Sequence, residues 1–424
     1  MQTLMPDLRD LPDVLDVPGL ACRSCGAPLR HSVVDLGLSP PCQTVVRPDQ
    51  LAAGEAFYPL HAFVCAACSL VQIDHTVLPD DIFTEYAYFS SYSDSWVEHA
   101  RRYAESAAER FGLGAHSHVV EVASNDGYLL QHFVRMGVPC LGVEPAANVA
   151  AVARANGIPT RVAFFGEDEA QRMVGEGLRA DLLLGNNVLA HTPHLNSFVA
   201  GMKALLAPGG VITMEFPHLV SLIDQNQFDT IYHEHFSYFS FTAVMRVFAR
   251  HGLDLFDVER LPTHGGSLRI YGCHAGTRAQ GERAAALLAD EAAWGVDDLR
   301  TYAAFAGRVR EAKRGLLTFL IGAARAGKTV AGYGAPGKGN TLLNTCGIRT
   351  DLLAYTVDRN PYKQGTFTPG TRIPIYAPER IFETRPDYLL LLPWNLRDEI
   401  TAQMAGIRAW DGQFVVPIPH VEVF

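Results

Sequence analysis

Apolar strand-like runs alternate with helical stretches in two separate regions of this chain. The first region contains HVVEV, LGVEP, DLLLGNN and VITMEF, and the second contains KTVAGYG, LLAYTVD, DYLLLLPWN and FVVPIPH. Between them, residues 282–326 have the spacing of one or two long helices. Because strand–helix alternation is typical of sheets covered by helices, the sequence predicts an α/β protein.

Two C-x2-C pairs lie in the first 80 residues, and they have the spacing of metal ligands. They are CRSC (Cys22, Cys25) and CAAC (Cys65, Cys68). Each pair can present two thiolates to one tetrahedral Zn²⁺. Four thiolates leave no coordination position open, so we predict a structural zinc ion and not a catalytic one.

The length of 424 residues is sufficient for several domains with their own cores. We predict a zinc-binding domain at 1–80, an α/β domain at 81–280 and a second α/β domain at 281–424. The formal net charge of -10 and the lack of a basic tract argue against a nucleic-acid partner. No apolar run approaches the ~20 residues of a membrane span, and the acidic N-terminus is unlike a signal peptide. We therefore expect a cytoplasmic protein, a monomer or small homo-oligomer.

The stretch HVVEVASNDGYLLQHF has the pattern of a strand, a turn and a helix. Such a turn lies at the carboxyl end of a strand, where open α/β sheets bind ligands, and Glu144 ends the next strand, where an acid can bind a ribose diol. The turn lacks a full G-x-G-x-x-G, which favours S-adenosylmethionine over NAD because the methyl donor has no pyrophosphate. The candidate donor-binding residues are Glu121, Ser124, Asn125, Asp126, Gly127, Glu144, Pro145, Asn186, Asn187 and His191.

The stretch GYGAPG at 332–337 fits G-x-G-x-x-G between a strand and a helix. Asp358 ends the next strand, so this pattern alone indicates a dinucleotide site, as in an NAD-dependent oxidoreductase. Lys338 and the helix N-terminus would suit another diphosphate equally well. Both interpretations stay open at this point.

Several motifs together resemble one known family. They are CRSC, CAAC, DLGLSPPCQTVV, EYAYFSSYS, VEVASNDGYLL, GVEP, FDTIYHEHFSYFS, LPTHGGSLR, GYGAPGKGN and PWNLRDEI. The chain resembles the S-adenosylmethionine-dependent C-methyltransferases of nucleotide-linked deoxysugars over nearly its whole length. This resemblance implies a zinc-binding domain, a class I methyltransferase domain and a C-terminal Rossmann-like domain that helps to hold the nucleotide sugar. It also implies methylation beside a ketone, usually at C3 of a 4-keto sugar on dTDP or a similar carrier.

The catalytic candidates of this family are the Tyr, Glu and His of a Y-x-E-H motif, which correspond to Tyr232, Glu234 and His235. His235 has a suitable pKa for a base near neutral pH. Glu234 could orient the imidazole or act on the proton directly, and Tyr232 could donate to the developing enolate oxygen. In an extended strand Tyr232 and Glu234 would lie on one face and His235 on the other, so the three converge only in a turn or bulge.

Further candidates lie outside that motif. Tyr86 or Tyr88 of EYAYFSSYS is a candidate for catalysis and for sugar binding. The other candidate substrate residues are His264, Gly265, Gly334, Lys338 and Asn340. The sequence departs from the family at His233, where relatives often have an acidic residue, and in GAPGKGN, where Pro336 and Gly337 alter the loop. The alternatives are an NAD-dependent nucleotide-sugar oxidoreductase, an O- or N-methyltransferase and a non-catalytic zinc scaffold.

Overall fold

The computed structural model describes residues 19–74 and 89–424, and its strands form three sheets within these ranges. The strands are β1 (His31–Ser39), β2 (Tyr58–Val64), β3 (Val71–Ile73), β4 (Val119–Val122), β5 (Cys140–Val143), β6 (Thr160–Arg161), β7 (Ala180–Asn186), β8 (Leu206–Pro217), β9 (Ser237–Tyr238), β10 (Leu253–Leu261), β11 (Ser267–His274), β12 (Val330–Tyr333), β13 (Thr356–Val357), β14 (Ile375–Tyr376), β15 (Tyr388–Leu391), β16 (Gln413–Val416) and β17 (Glu422–Val423).

The α-helices of the described residues connect these strands. They are α1 (Asp94–Phe111), α2 (Leu130–Arg135), α3 (Ala147–Ala155), α4 (Glu167–Gly175), α5 (Leu195–Leu205), α6 (Leu219–Asp224), α7 (Phe241–Arg250), α8 (Glu282–Trp294), α9 (Leu299–Arg325), α10 (Gly337–Cys346), α11 (Arg380–Thr384) and α12 (Arg397–Gln403). No helix in this part of the chain is both long and apolar enough to cross a membrane.

The first sheet has the order β1-β2-β3-β9 and lies beside the two cysteine pairs. β1, β2 and β3 come from the N-terminal region, and all of their pairings are antiparallel. β9 comes from the middle of the chain and pairs with β3 through Val71 opposite Tyr238. The predicted boundaries at 80 and 280 stay predictions, but the N-terminal sheet takes one strand from beyond the first of them.

The central sheet has the order β10-β11-β8-β7-β4-β5-β6. The strands from β8 to β6 run parallel, and β11 is antiparallel to both of its neighbours. β4 lies between β5 and β7, and the chain continues from β4 to β5 on one side and from β7 to β8 on the other. The loops after β4 and β7 therefore meet at a topological switch point, where such sheets bind ligands.

The third sheet has the order β14-β13-β12-β15-β16-β17, and its strands are parallel except β17. Its switch point lies between β12 and β15. The loop before α10 and the segment Pro393–Leu396 adjoin that point.

The long helix α9 joins the first and third sheets. Its buried stripe includes Tyr302, Phe305 and Val309, as the predicted helical spacing requires. These side chains share one apolar core with β1 and β2 on one side and with α10 on the other. The two regions are therefore packed on each other rather than joined by a free linker.

Candidate active site

The four cysteines of the two C-x2-C pairs converge, and their sulfur atoms all lie within 4.8 Å of one another. Cys22 Sγ is 3.6 Å from Cys68 Sγ, and Cys25 Sγ is 3.5 Å from Cys65 Sγ. Tetrahedral ligands at the usual Zn–S distance are about 3.8 Å apart, so the four thiols fit one zinc ion.

The loop between β4 and α2 forms one wall of a large cavity. Asn125 has a φ of 49°, and its main-chain N–H donates to Glu144 Oε2 at 2.9 Å. The other carboxylate oxygen of Glu144 accepts from Ala146 N at 2.9 Å. Burial raises the pKa of Glu144, and these two main-chain donors oppose that shift. The acid is thus fixed at the end of β5, as a ribose-binding residue must be.

The cavity has a volume of about 840 Å³ and lies between the carboxyl ends of the central and third sheets. Its walls combine most of the predicted donor residues with residues of the YHEH stretch and the C-terminal loops. The predicted residues that line it are Asn125, Glu144, Pro145, Asn186, Asn187, His191, Tyr232, His235, His264 and Lys338.

The YHEH stretch forms a tight turn. His235 N donates to Tyr232 O at 2.9 Å, so Tyr232 and His235 are its first and last residues. Their rings lie 4.0 Å apart and both face the cavity. His233 is directed to the opposite side, where its Nε2 donates to Pro59 O at 3.1 Å. The turn that the sequence required is therefore present, but it brings only two of the three candidates together.

The imidazole of His235 is held in one protonation state. Nδ1 lies 2.8 Å from the carbonyl oxygen of Thr230. A carbonyl only accepts, so Nδ1 carries the proton. Burial lowers the pKa of His235 well below its usual value, and His191, whose ring is 4.6 Å away, lowers it further. The ring is neutral at pH 7, and its Nε2 keeps a free lone pair.

Glu234 does not orient this imidazole, which corrects one of the two roles expected from the sequence. Its Oε2 instead accepts from Cys42 Sγ at 3.4 Å, and it does not line the cavity. Burial raises the pKa of Glu234 to about 7, and the Cys42 contact partly opposes this shift. The main-chain carbonyl of Thr230 has the orienting role.

The C-terminal wall is made by the two loops at the switch point of the third sheet. Lys338 Nζ donates to Asn395 Oδ1 at 3.0 Å and lies 4.9 Å from the ring centre of Trp394. Trp394 Nε1 donates to the buried Asp229 Oδ2 at 2.7 Å. Withdrawal from water lowers the pKa of Lys338, and Asp229 opposes that change. Lys338 therefore places a cation on the cavity wall next to an amide.

His264 reaches the cavity from the turn before β11. Its φ is 54°, and its Nε2 accepts from Asn187 Nδ2 at 3.1 Å. Its ring is 5.2 Å from that of Trp96. Withdrawal from water lowers the pKa of His264 to about 4, and Lys338 adds to this effect. The turn of His264 thus contacts the loop after β7 through Asn187.

Some predicted residues lie behind the cavity wall, within the described part of the chain. They are Glu121, Ser124, Asp126, Gly127, Glu234, Gly265, Gly334 and Asn340. Asn340 Nδ2 donates to Cys42 O at 2.7 Å, and both oxygens of Asp358 accept from main-chain N–H groups of nearby loops. Tyr86 and Tyr88 lie outside the described residues, so their roles stay predictions.

The cavity also contains residues that the sequence analysis did not single out. Phe164 and Phe165 follow β6 and lie on the donor side, and Trp96 lies at the start of α1. Two adjacent phenylalanines shortly after a parallel strand are a sequence pattern that could have predicted Phe164 and Phe165 as part of a ligand site. The carbonyl of Thr230 had none, because a main-chain group has no sequence signature.

The central sheet, its fixed acid at the second parallel strand and the adjoining cavity define a class I methyltransferase that uses S-adenosylmethionine. Three family models match in succession: a zinc binding domain at residues 22–83, a methyltransferase domain at 96–258 and a C-methyltransferase C-terminal domain at 262–419. The C-methyltransferase NovU of Streptomyces niveus is 38% identical over 403 residues, which are 95% of this chain and 96% of the relative. The chain belongs to the S-adenosylmethionine-dependent C-methyltransferase family.

Solved methyltransferases resemble less of the molecule. The glycopeptide N-methyltransferase MtfA with S-adenosylmethionine is 11% identical and covers 47% of this chain and 100% of its own, with a TM-score of 0.33. The CcbJ methyltransferase of Streptomyces caelestis is 14% identical over 42% of this chain and 90% of its own, with a TM-score of 0.32. These scores are too low to add to the family assignment.

The family assignment decides between the alternatives that the sequence left open. The predicted family, fold class, methyl donor and zinc site are confirmed. An NAD-dependent oxidoreductase, an O- or N-methyltransferase and a non-catalytic scaffold are set aside. The sugar substrate and the individual site residues stay proposals.

Proposed function

We propose that the protein methylates a carbon beside the ketone of a nucleotide-linked keto-deoxysugar, at C3 of a 4-keto sugar. The observation that carries this proposal is the Tyr232–His235 turn, which directs a neutral imidazole lone pair and a phenol to one cavity. A carbon acid requires both a base and a donor to the adjacent oxygen.

The donor wall supports binding of S-adenosylmethionine close to this turn. Glu144 at the end of β5 is placed to accept from the ribose hydroxyls, and Phe164 and Phe165 offer flat apolar surfaces for the adenine. Asn186, Asn187 and His191 line the same cavity, and the ring of His191 lies 4.6 Å from that of His235. S-adenosylmethionine, when bound, supplies a methyl group bonded to a positively charged sulfur.

In the proposed reaction His235 Nε2 removes the proton from the sugar carbon, and the electron pair of the broken C–H bond delocalises onto the ketone oxygen. Tyr232 donates a hydrogen bond to that oxygen as its charge grows. The nucleophilic carbon then forms its bond to the methyl group as the S–CH3 bond breaks. The products are the methylated keto sugar, S-adenosylhomocysteine and the proton held by His235.

Lys338 and the N-terminus of α10 are proposed to bind the diphosphate of the sugar nucleotide. The ammonium group and the N–H groups at the helix start both favour an anion. Gln43, from the N-terminal region, lines the same part of the cavity. The substrate would thus contact all three predicted domains, and the predicted cytoplasmic location is consistent with such a metabolite.

The experiment that tests this function is hydrogen exchange at carbon in heavy water. A dTDP-linked 4-keto-deoxysugar is incubated with the enzyme and S-adenosylhomocysteine, and deuterium at C3 is followed by NMR. We expect exchange by the wild type and a roughly 10²- to 10⁴-fold slower rate in His235→Ala.

His233→Ala is the matched control, since His233 lies in the same turn but faces Pro59. It should keep the exchange rate of the wild type within a few-fold. Methylation at oxygen or nitrogen, or equal exchange rates in His235→Ala and the wild type, would contradict the proposal.

A further inference from the structure

The Tyr232–His235 turn is attached from behind to the strand that follows the second cysteine pair. β3 begins three residues after Cys68, and it pairs with β9, which begins two residues after His235. Ile73 N also donates to Phe236 O at 3.2 Å. Phe236, the residue after His235, is thus hydrogen-bonded directly to the zinc-binding region.

Gln72 connects this strand to the cysteine cluster through its side chain. The residue is fully buried in the middle of β3, where its backbone is opposite Ser237. Its Nε2 donates to Cys22 Sγ at 3.2 Å, and its Oε1 accepts from Arg23 N at 2.9 Å. Both ends of the amide are therefore used.

Arg23 strengthens the same connection. Its guanidinium donates to Ile73 O at 2.7 Å and lies 5.5 Å from the centre of the Phe236 ring. Phe236 is fully buried, and its N–H donates to Ala190 O at 2.8 Å. The strand pairing, the amide and the guanidinium together leave the segment after His235 little freedom to shift.

Space filling alone does not explain a polar side chain at position 72. Burying an amide in a core costs free energy unless both ends are hydrogen-bonded, whereas a leucine or methionine would fill the volume at no such cost. Hydrogen bonds to a ligand thiolate fix its direction and stabilise its charge. Gln72 does this while its own backbone holds β9.

We propose that Gln72 is a positioning residue, which transmits the order of the zinc-binding cluster through β3 and β9 to His235. The four cysteines would then affect the rate of the reaction through the position of His235, although none of them lines the cavity. The kinetic part of this inference rests on the proposed function, because it assumes that His235 is the base. Its structural part concerns only the imidazole and the metal.

The test replaces Gln72 by methionine, which keeps the volume and loses both hydrogen bonds. Three properties of the zinc-loaded protein are measured: release of zinc to a chelator, the protonation pattern of His235 by ¹⁵N NMR of labelled histidine, and the kinetic constants. The His235 signals are assigned by their loss in His235→Ala. Gln364→Met is the control for the same exchange of side chains. Gln364 Nε2 donates to Asp358 O in the C-terminal region and has no hydrogen bond to the cysteine cluster in the described part of the chain.

We expect Gln72→Met to retain one zinc per chain and the wild-type affinity for S-adenosylhomocysteine. Zinc release should be roughly tenfold faster, and kcat should fall by roughly 10- to 100-fold at unchanged KM for the methyl donor. The imidazole should change from a fixed Nδ1–H form to a mixture of tautomers. Gln72→Asn, which is one methylene shorter, should give intermediate values if the methionine variant does not fold.

Two outcomes would overturn the proposal. One is an unchanged kcat and tautomer in Gln72→Met. The other is a parallel loss of zinc, stability and donor affinity, which would show that the residue supports the whole fold and not the turn. If the wild type itself fails to exchange the C3 proton, the proposed function fails, while the tautomer and zinc measurements still decide the role of Gln72.

Discussion

Glu234 and His235 are neighbours in sequence, but their side chains lie on different sides of the turn. His235 faces the cavity with a main-chain carbonyl at Nδ1, whereas Glu234 is buried against Cys42. The physical reason is the turn, whose middle residues project away from its ends. Sequence alternation alone would have grouped Tyr232 with Glu234, and the structure groups it with His235.

The surroundings of Glu234 predict a pH-dependent stability. Its pKa is raised by burial from 4.5 to about 7, so the folded state binds more protons than the unfolded state between these values. The free energy of unfolding therefore falls as the pH rises through this window. Glu234→Gln does not titrate at this position. From pH 5 to pH 8 the free energy of unfolding of the variant should therefore rise by about 2 to 3 kcal/mol relative to that of the wild type.

Urea unfolding of both proteins at pH 5 and pH 8 measures this gain. Glu176→Gln is the control, because the Arg161 contact lowers the pKa of Glu176 below that window. Its stability should follow the wild type at both pH values. Parallel curves for Glu234→Gln and the wild type would show that Glu234 does not have a raised pKa.

Among the elements, the loop between β12 and α10 departs most from its sequence interpretation. The pattern GYGAPG predicted a dinucleotide fingerprint, but both Asp358 oxygens accept from the main chain, and Gly337 lies against Cys42 of the N-terminal region. Gly334 has a φ of 85°, and a Cβ there would lie 2.6 Å from Pro393 Cδ. The glycine at 334 therefore allows the close approach of this loop to the loop of Pro393.

This close approach predicts a large effect of Gly334→Ala. The change adds backbone strain at positive φ and pushes Pro393 away, which separates Lys338 from Asn395. Gly347→Ala is the matched control, because its φ is 71° with nothing within 4 Å of the added Cβ. We expect a loss of about 1 kcal/mol for Gly347→Ala and about 1–3 kcal/mol more for Gly334→Ala, measured by urea unfolding. Equal losses would mean that the contact with Pro393 is unimportant.

At the scale of the whole molecule, side chains from separate regions of the sequence close the cavity. Asn340 donates a hydrogen bond to the main chain of Cys42, and Trp394 donates one to Asp229. The region of the third sheet therefore contacts both other regions through hydrogen bonds. The apolar core that α9 shares with β1 adds to these contacts. The cavity therefore has walls only when all three regions are packed together.

Trp394→Phe tests this closure because it removes the N–H donor to Asp229. Burial raises the pKa of Asp229 to about 6, and Lys338 and then the Trp394 donor oppose this shift, so the charged form at pH 8 loses one of its stabilising partners in the variant. We expect the variant to be about 1–3 kcal/mol less stable at pH 8 and closer to the wild type at pH 5, where the carboxyl is protonated. Affinity for S-adenosylhomocysteine should not change, since the proposed donor-binding residues follow strands of the central sheet.

Trp410→Phe is the control for this prediction. Trp410 Nε1 donates to the neutral carbonyl of Pro386 at 2.9 Å, so its loss should cost the same at both pH values. Thermal unfolding at pH 5 and pH 8 separates the two variants. A pH-independent loss in Trp394→Phe would show that Asp229 is not charged at the interface.

The sequence by itself determined the α/β class and the four cysteines of the zinc site, and the family resemblance placed Tyr232 and His235 in one motif. The α/β class depends on short-range periodicity, and the zinc site depends on ligand chemistry that residue spacing records. Only the tertiary structure decided that Glu234 lies outside the cavity, that the carbonyl of Thr230 fixes the imidazole of His235, and that β9 completes the N-terminal sheet. Those outcomes depend on contacts between residues far apart in the chain, and local sequence carries no record of which distant backbone group a side chain will meet.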